Sequence, residues 1–527
     1  MARVLVTDDL DEQALAELRR QAEVQYRPGL TPAELLQAIA DADALVVRSG
    51  TRVTRPVIEA GMRLRVIGRA GTGTDNIDVA AATERGIWVV NAPDSNSVAV
   101  AEHVFALMLA LLRHIPAAGE SLRRGEWKRS QFRGKELNGK VLGIVGLGRI
   151  GVKVAERARA FGMTVCAYDP FVAPGQAESL SVVPISLDEL LRRSDIITLH
   201  VPAAADTQGL IGARELALCK PGAYLINCSR GSVVSGDALL QALDSGKLAG
   251  AGLDVFEREP PVGSPLLQHP KVVATPHIAG MTDEAQRNVA LAVARQVLDV
   301  LQGRQPAFPV NAPALSPEQQ ARIGPHLDLA RRLGKLYAGI AAAPTAAVEV
   351  SFAGQATELE PSLLTSAVLE GMLVGASDTP VNLVNARLIA RNRGISVSET
   401  TSAESGPYAS LISLVVGTPA GEHRLAGTVM QGQPYVVSIE DYPLLFIPAG
   451  TLLYTEHIEQ PGILGRMGTA LGDLGVNISF VQVGRHSRGG PGIMILGIDD
   501  AADGPVLAAV SQLPSVVRAC MIRLPPS

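Results

Sequence analysis

A chain of 527 residues, 47% hydrophobic and with positive mean hydropathy, has material for about three or four globular cores, which excludes a disordered polymer. A net charge of −5 argues against a general nucleic-acid binder. Four dispersed cysteines (Cys166, Cys219, Cys228, Cys520) have neither metal-ligand spacing nor the density of a disulfide scaffold, so free thiols in a reducing cytoplasm are expected.

The N-terminus enters a short strand directly, without a charged-then-apolar leader. Up to about residue 97, apolar runs at 3–7, 44–47, 65–68 and 87–90 alternate with helical patterns at 12–21, 32–40 and 55–60. That alternation predicts a small doubly wound α/β domain. A helix from about 97 to 114 crosses into a second domain, 98–285. Its apolar stretch 98–112 contains Glu102 and His103, so it reads as a buried core helix rather than a membrane span. Strands are expected at 141–145, 163–168, 195–200, 223–227, 249–253 and 271–274, with helices between them, giving a second parallel sheet. A helix over 282–301 opens with Thr282 as N-cap and two acids, Asp283 and Glu284. It is expected to return to the first domain, which residues 286–314 complete.

The stretch 303–317 is proline-rich and aperiodic and reads as a linker. An α+β region over 315–450 follows, with a helix at 318–342 and strands at 347–352, 410–416 and 435–439. The tail, 451–527, reads strand, helix (463–474), strand (476–483), Gly-rich turn, strand (493–498), helix, strand. This is the βαββαβ order of a ferredoxin-like unit.

The segment 140–151, KVLGIVGLGRIG, carries the most chemistry. A buried strand breaks into Gly146-x-Gly148-x-x-Gly151, and a helix follows. Gly146 permits the turn, Gly148 admits a pyrophosphate close to the backbone, and Gly151 lets helix and strand pack. The free N–H groups of the helix start then face the phosphates. The next strand ends at Asp169, whose carboxylate suits a ribose diol and repels a 2′-phosphate, so the expected cofactor is NAD rather than NADP.

Three further segments put polar groups at the carboxyl ends of strands, where open α/β sheets bind ligands. They are Asn227-Cys228-Ser229-Arg230-Gly231, the run from Gly252 to Pro260, and Thr275 to Gly280. Oxidising a secondary alcohol needs a hydride acceptor and a base. His277 suits the base, with a buried Glu259 beside it to fix its tautomer. Arg230, with its planar fork, suits a substrate carboxylate and polarises the reacting oxygen. Asp254 is expected to accept hydrogen bonds from the nicotinamide carboxamide. Arg48 and Arg69 each follow a first-domain strand and are expected to face the cleft.

In order and spacing, GLGRIG, NCSRG, GLDVFEREP and PHIAG resemble the signature segments of the D-isomer-specific 2-hydroxyacid dehydrogenases. The resemblance implies a catalytic triad at Arg230, Glu259 and His277. It implies cofactor contacts at Arg149, Ile150, Asp169, Cys228, Ser229, Arg230, Asp254, His277 and Gly280. Within the family, RAGTGTDNID (69–78), NAPDSNSVAVAEH (91–103) and the long C-terminal extension are similar to the members that oxidise 3-phosphoglycerate to 3-phosphohydroxypyruvate, the first step of L-serine synthesis. Those members carry an intervening domain and a terminal ACT domain, and assemble as homo-oligomers, usually tetramers. For such a substrate, Arg48 and Arg69 bind phosphate with help from Asn96 and Ser97. Gly71 and Thr72 offer donors near substrate and nicotinamide, and Arg129 or Arg133 reaches a neighbouring subunit's substrate.

The family's L-serine turn falls on His457, Glu459 and, at the next strand, Asn477; Glu459 stands where serine-sensitive members usually have Asp. A dimerisation module without a ligand is the alternative for this tail. For the whole chain, a reductase of hydroxypyruvate, glyoxylate or 2-oxoglutarate stays open, as does an NAD-sensing protein like the family's co-repressors, which keep the same triad.

Overall fold

The computed structural model describes residues 1–172, 174–341, 343–375, 379–499 and 503–526. The first sheet contains β1 (Arg3–Val6), β2 (Glu23–Tyr26), β3 (Ala44–Val47), β4 (Val66–Arg69) and β5 (Trp88–Val90), all parallel, in the order β2-β1-β3-β4-β5. β3 is buried along its whole length, as a strand covered on both faces must be. Helices Pro32–Ala38, Arg55–Ala60 and Val79–Glu84 cover one face, and helices Glu12–Gln21 and Asp283–Leu301 the other. The last of these returns to this sheet as expected. It does so at Gly68, where a Cβ would stand 2.6 Å from Val293 and 2.7 Å from Val297. β2 carries no apolar pattern because it is a half-exposed edge.

The second sheet holds β6 (Val141–Val145), β7 (Thr164–Tyr168), β8 (Val183–Pro184), β9 (Ile196–Leu199), β10 (Ala223–Asn227), β11 (Leu248–Leu253) and β12 (Val272–Ala274). Its order, β12-β11-β10-β9-β6-β7-β8, reverses direction between β6 and β9, and that reversal opens a crevice at the strand ends. Helix Ser97–Leu112 lies across one face, ten of its residues buried. It packs so closely on β11 that a Cβ on Gly252 would meet Leu107 at 3.1 Å. Among the described residues no single helix is long and apolar enough to cross a membrane.

Residues 303–317 depart from a free linker. Val310 N donates to the Val89 carbonyl, and Val89 N to Asn311 Oδ1, which lays this stretch along β5.

The third sheet is β13 (Ala347–Gly354), β14 (Ser396–Ser402), β15 (Ser410–Thr418), β16 (Gly421–Met430), β17 (Gln433–Ile439) and β18 (Tyr442–Phe446), in the order β14-β13-β15-β16-β17-β18. Helices Pro317–Ile340 and Pro361–Leu373 pack on it and meet each other at facing glycines. A Cβ on Gly334 would meet the Val368 carbonyl at 2.0 Å, and one on Gly371 the Arg331 carbonyl at 2.0 Å. Residue 342, the expected end of the first helix, lies outside the described residues.

The tail sheet, β19 (Thr451–Ile458), β20 (Ile478–Arg485), β21 (Pro491–Ile498) and β22 (Val516–Arg523), has the order β20-β21-β19-β22. Helices Ile463–Asp473 and Asp503–Ser511 cover one of its faces. Its other face (Leu452, Tyr454, Ile493, Ile495, Ile522) shares one core with the third sheet. β20 begins at 478 rather than 476 because Val476 N still donates to the Leu471 carbonyl and closes the preceding helix.

Candidate active site

The Gly-rich turn leaves the carboxyl end of β6 in the crevice. Gly146 sits at φ +95°, which only glycine adopts without strain. Its carbonyl lies 2.2 Å from where a Cβ on Gly151 would be, so helix Arg149–Ala160 starts against the turn itself. Nothing lies within 4 Å of a Cβ built on Gly148, which leaves the cradle open. The first N–H groups of this helix, Arg149 and Ile150 among them, have no intrahelical partner. Asp169 accepts from Leu147 N at 2.8 Å and Phe171 N at 2.9 Å, which fixes its carboxylate beside the turn. An open glycine cradle, free amides and a fixed carboxylate fit a dinucleotide with an unphosphorylated ribose. The Arg149 side chain pairs with Asp94, in the loop after β5, and lies over the Phe308 ring.

After β10, Asn227 organises the expected loop. Its Oδ1 accepts from Ser229 N and Oγ, and its Nδ2 donates to the Arg230 carbonyl at 2.9 Å. Cys228 is buried beside this loop, and burial pushes its thiol pKa up.

Asp254 lies at the end of β11. Its side chain is fully buried, and protein donors already occupy it: Thr275 Oγ1 at 2.6 Å, Ile278 N at 2.8 Å and Ala279 N at 2.9 Å. Burial pushes its pKa up. The hydrogen bonds from His103, Thr275, Ile278 and Ala279 outweigh that and hold it at about 2. These donors tie Asp254 to the loop that carries His277. His277 adopts φ +54°, an unfavourable region for a histidine. It is held there by its own N–H on the Asp254 carbonyl at 2.9 Å and by the two following amides on the Asp254 carboxylate.

His277 Nδ1 lies 2.7 Å from Glu259 Oε2, and Phe256 N donates to Glu259 Oε1 at 3.1 Å. The pair is less enclosed than expected: Glu259 is 38% exposed and His277 50%. With Nδ1 committed to Glu259, Nε2 is the nitrogen available to a reacting hydroxyl.

Arg230 Nη1 donates to the Ser229 carbonyl at 2.8 Å, and Nη2 stands 3.6 Å from Asp75 Oδ2 on the first sheet's side of the cleft. Gly73 permits this, since a Cβ there would be 2.3 Å from Arg230 Nη2. The Arg69 guanidinium is folded against Gly71. Burial first, then the charges of Arg230 and Arg48, lower its pKa, while Asp75 and Asp8 oppose them. Arg48 is turned towards helix Asp283–Leu301. It donates to Gln286 Oε1 and to the Asp9 carbonyl, and Gln286 Nε2 reaches the Gly280 carbonyl at 2.8 Å. Thr72 Oγ1 donates to Asn96 Oδ1 at 3.1 Å, and Asn96 Nδ2 faces Gly280. Ser97 is buried with its Oγ unpartnered.

The fold therefore brings Arg48, Arg69, Gly71, Thr72, Asn96, Arg230, Glu259, His277 and Gly280 to one cleft. Asp75, Gly73, Gly231 and His103 were missed by sequence reasoning. Their local signals were the segments RAGTGTDNID, NCSRG and NAPDSNSVAVAEH, but the partners that give them meaning lie on other segments of the chain.

The remaining predicted residues lie elsewhere. Arg129 and Arg133 sit on an exposed loop with Trp127 and Lys128. In the tail, His457 is buried with both ring nitrogens unpartnered, and burial lowers its pKa against the pull of Glu459. Glu459 is taken by Arg485 Nη1 at 2.5 Å and Gly489 N at 2.6 Å, and Asn477 donates to Asp499 at 3.0 Å.

Residues 105–279 match the NAD binding domain of the D-isomer specific 2-hydroxyacid dehydrogenases, 322–440 the D-3-phosphoglycerate dehydrogenase intervening domain, and 451–515 the ACT domain. The D-3-phosphoglycerate dehydrogenase of Methanocaldococcus jannaschii is 43% identical over 525 residues, covering 99% of this chain and 100% of that one. That of Bacillus subtilis is 40% identical over 527 residues, 100% of both chains. Among solved structures, an Aquifex aeolicus D-lactate dehydrogenase complexed with NAD and lactic acid aligns at TM-score 0.53 and 31% identity, over 59% of this chain and 100% of that one.

Proposed function

Because this chain belongs to the D-3-phosphoglycerate dehydrogenases, within the D-isomer-specific 2-hydroxyacid dehydrogenase family, we propose that it oxidises D-3-phosphoglycerate to 3-phosphohydroxypyruvate, the first step of the phosphorylated route to L-serine. NAD supplies the hydride acceptor. The observation that supports the reading is the His277–Glu259 pair, borne by loops at the carboxyl end of the sheet that also carries Arg230 and the glycine cradle. His277 Nε2 takes the hydroxyl proton, and Glu259, tied to Nδ1, offsets the positive charge that the ring acquires. Arg230 binds the substrate carboxylate and polarises the reacting oxygen. Asp254 holds the His277 loop in place from beneath.

Arg69 and Arg48 supply the phosphate site, with Asn96 and Ser97 at its edge. Arg69 suits the role because it is mostly buried, its Nε has no partner, and it lies among other cations that a dianion would relieve. The test is a substrate series read by NADH absorbance. Arg69→Ala should raise KM for D-3-phosphoglycerate at least about tenfold, the scale of removing a charged donor from a partly buried anion site, and barely alter it for D-glycerate. Equal effects on both substrates remove the phosphate assignment.

The assembly is a homo-oligomer, proposed as a tetramer in the cytoplasm, in keeping with four free thiols. Ile115, Leu122 and Trp127 (78% exposed) are exposed apolar side chains suited to contact with a second copy, and they precede Arg129 and Arg133 in the chain. L-Serine is proposed as a feedback ligand at the His457–Glu459 turn with Asn477, where the buried imidazole has unused donor and acceptor capacity. The ligand must compete with Arg485 and Gly489 for Glu459. Isothermal titration should show heat with millimolar L-serine. None with the intact protein would leave the ACT domain as a dimerisation module.

A further inference from the structure

Helix Arg149–Ala160 opens on a cation and has no acid in its first turn. A cation at the positive end of a helix is disfavoured unless an anion stands beside it. Here the anion comes from the other domain. The Arg149 guanidinium pairs with Asp94, in the loop after β5, and lies 5.6 Å from the centroid of the Phe308 ring.

The same loop carries Asn96 and Ser97. Its base is fixed by the segment that lies along β5: Asn91 N donates to the Phe308 carbonyl at 3.3 Å, and Phe308 N donates to Gln296 Oε1 at 2.7 Å. Gln296 Nε2 in turn donates to the Asn91 carbonyl at 2.8 Å. Its far end is tied to the first domain, where Thr72 Oγ1 donates to Asn96 Oδ1 and Ser97 N reaches back to the Asp94 carbonyl at 3.4 Å. Asp94 lies between these two anchors, at the point where the loop reaches across to the sheet that bears the glycine turn.

We propose that Asp94 is a positioning residue for the substrate phosphate. By holding Arg149 it fixes the 91–97 loop against the helix that follows the glycine turn, and so keeps Asn96 and Ser97 at the phosphate edge of the cleft. The Phe308 ring packs on the guanidinium and restricts it, so less side-chain entropy is lost in forming the pair than in an unsupported surface ion pair. A guanidinium has five donors in a rigid fork, so Arg149 holds Asp94 and keeps capacity for an anion at the helix start. The inference rests on the reading of Asn96 and Ser97 as part of the phosphate site.

The experiment compares full-length wild type, Asp94→Ala and Asp94→Glu. Without cofactor, hydrogen exchange read by mass spectrometry should be about fivefold faster at the amides of residues 94–97 in Asp94→Ala, the scale of one exposed ion pair. With NAD, KM for D-3-phosphoglycerate should rise by a similar factor, about fivefold, while kcat and the KM for D-glycerate stay within about twofold. Asp94→Glu keeps the charge within reach and should recover most of both changes. Unchanged exchange, an equal rise in KM for both substrates, or a fall in kcat as large as that in kcat/KM overturns the proposal. Asn96→Ala tests the reading beneath it. That variant should itself raise KM for D-3-phosphoglycerate, and if it does not, the assignment of this loop to the phosphate is what fails.

Discussion

Asparagine in place of His277 is expected to lower kcat about 10³-fold while leaving NAD affinity within about twofold, the scale of losing a positioned acid–base group. Asparagine is the informative replacement because position 277 sits at φ +54°. Asparagine tolerates that left-handed region better than most residues, so the backbone and its hydrogen bonds to Asp254 survive and only the imidazole is lost. Steady-state NADH formation gives kcat, and quenching of protein fluorescence by NAD gives affinity. A loss below about tenfold would place the proton transfer elsewhere, since general acid–base catalysis contributes more than that. Loss of NAD binding together with kcat would instead mean that the 275–280 loop had collapsed. In that event Glu259→Gln is the cleaner probe, because it leaves the loop amides on Asp254 untouched.

Gly231→Ala is expected to lower kcat/KM about 100-fold with a small change in melting temperature, the cost of moving catalytic groups by about 1 Å. A Cβ on Gly231 would stand 1.9 Å from the carbonyl carbon of Phe256 and 2.3 Å from Glu257 N. These are backbone atoms, which cannot step aside as a flexible side chain does. The loop carrying Arg230 and the loop carrying Glu259 must therefore part. Arg230, adjacent to the substitution, and Glu259, which reaches His277 at 2.7 Å, would separate by a comparable amount. The Gly-rich turn after β6 is not displaced by this substitution, so the defect reads chiefly as KM for the hydroxy acid and kcat together. Wild-type turnover in this variant would show that the two loops yield freely.

Where strands are buried on both faces, their apolar runs made them legible. β3, β6, β9 and β10 fall within a residue or so of their expected places. β2, β8, β14 and β18 were not foreseen, because they are edges, very short, or polar and exposed, as Ser396–Ser402 is; β16 lies inside its sheet, but its first half, Gly421–Arg424, is polar and mostly exposed. Nothing in such a segment's own pattern distinguishes it from a loop; a neighbour's backbone makes it a strand. Residues 303–317 mislead in the same way. Their prolines predict a linker, while Val310 and Asn311 pair with β5.

For the site, the glycine turn, Asp169, Arg230, Glu259 and His277 could be named from sequence. Each lies in a short segment whose residue types suit one chemical task, at the end of a strand whose pattern is local. The tertiary structure alone decided how those groups face one another. It buried Asp254 under the His277 loop, left Glu259 partly exposed, turned Arg48 towards Gln286, and set Asp75 against Arg230 across the cleft. The physical reason is range. Helix and strand patterns and turn glycines act over a few residues of chain, whereas charge pairing, desolvation and steric exclusion act between atoms that only packing of the two sheets brings within a few ångströms.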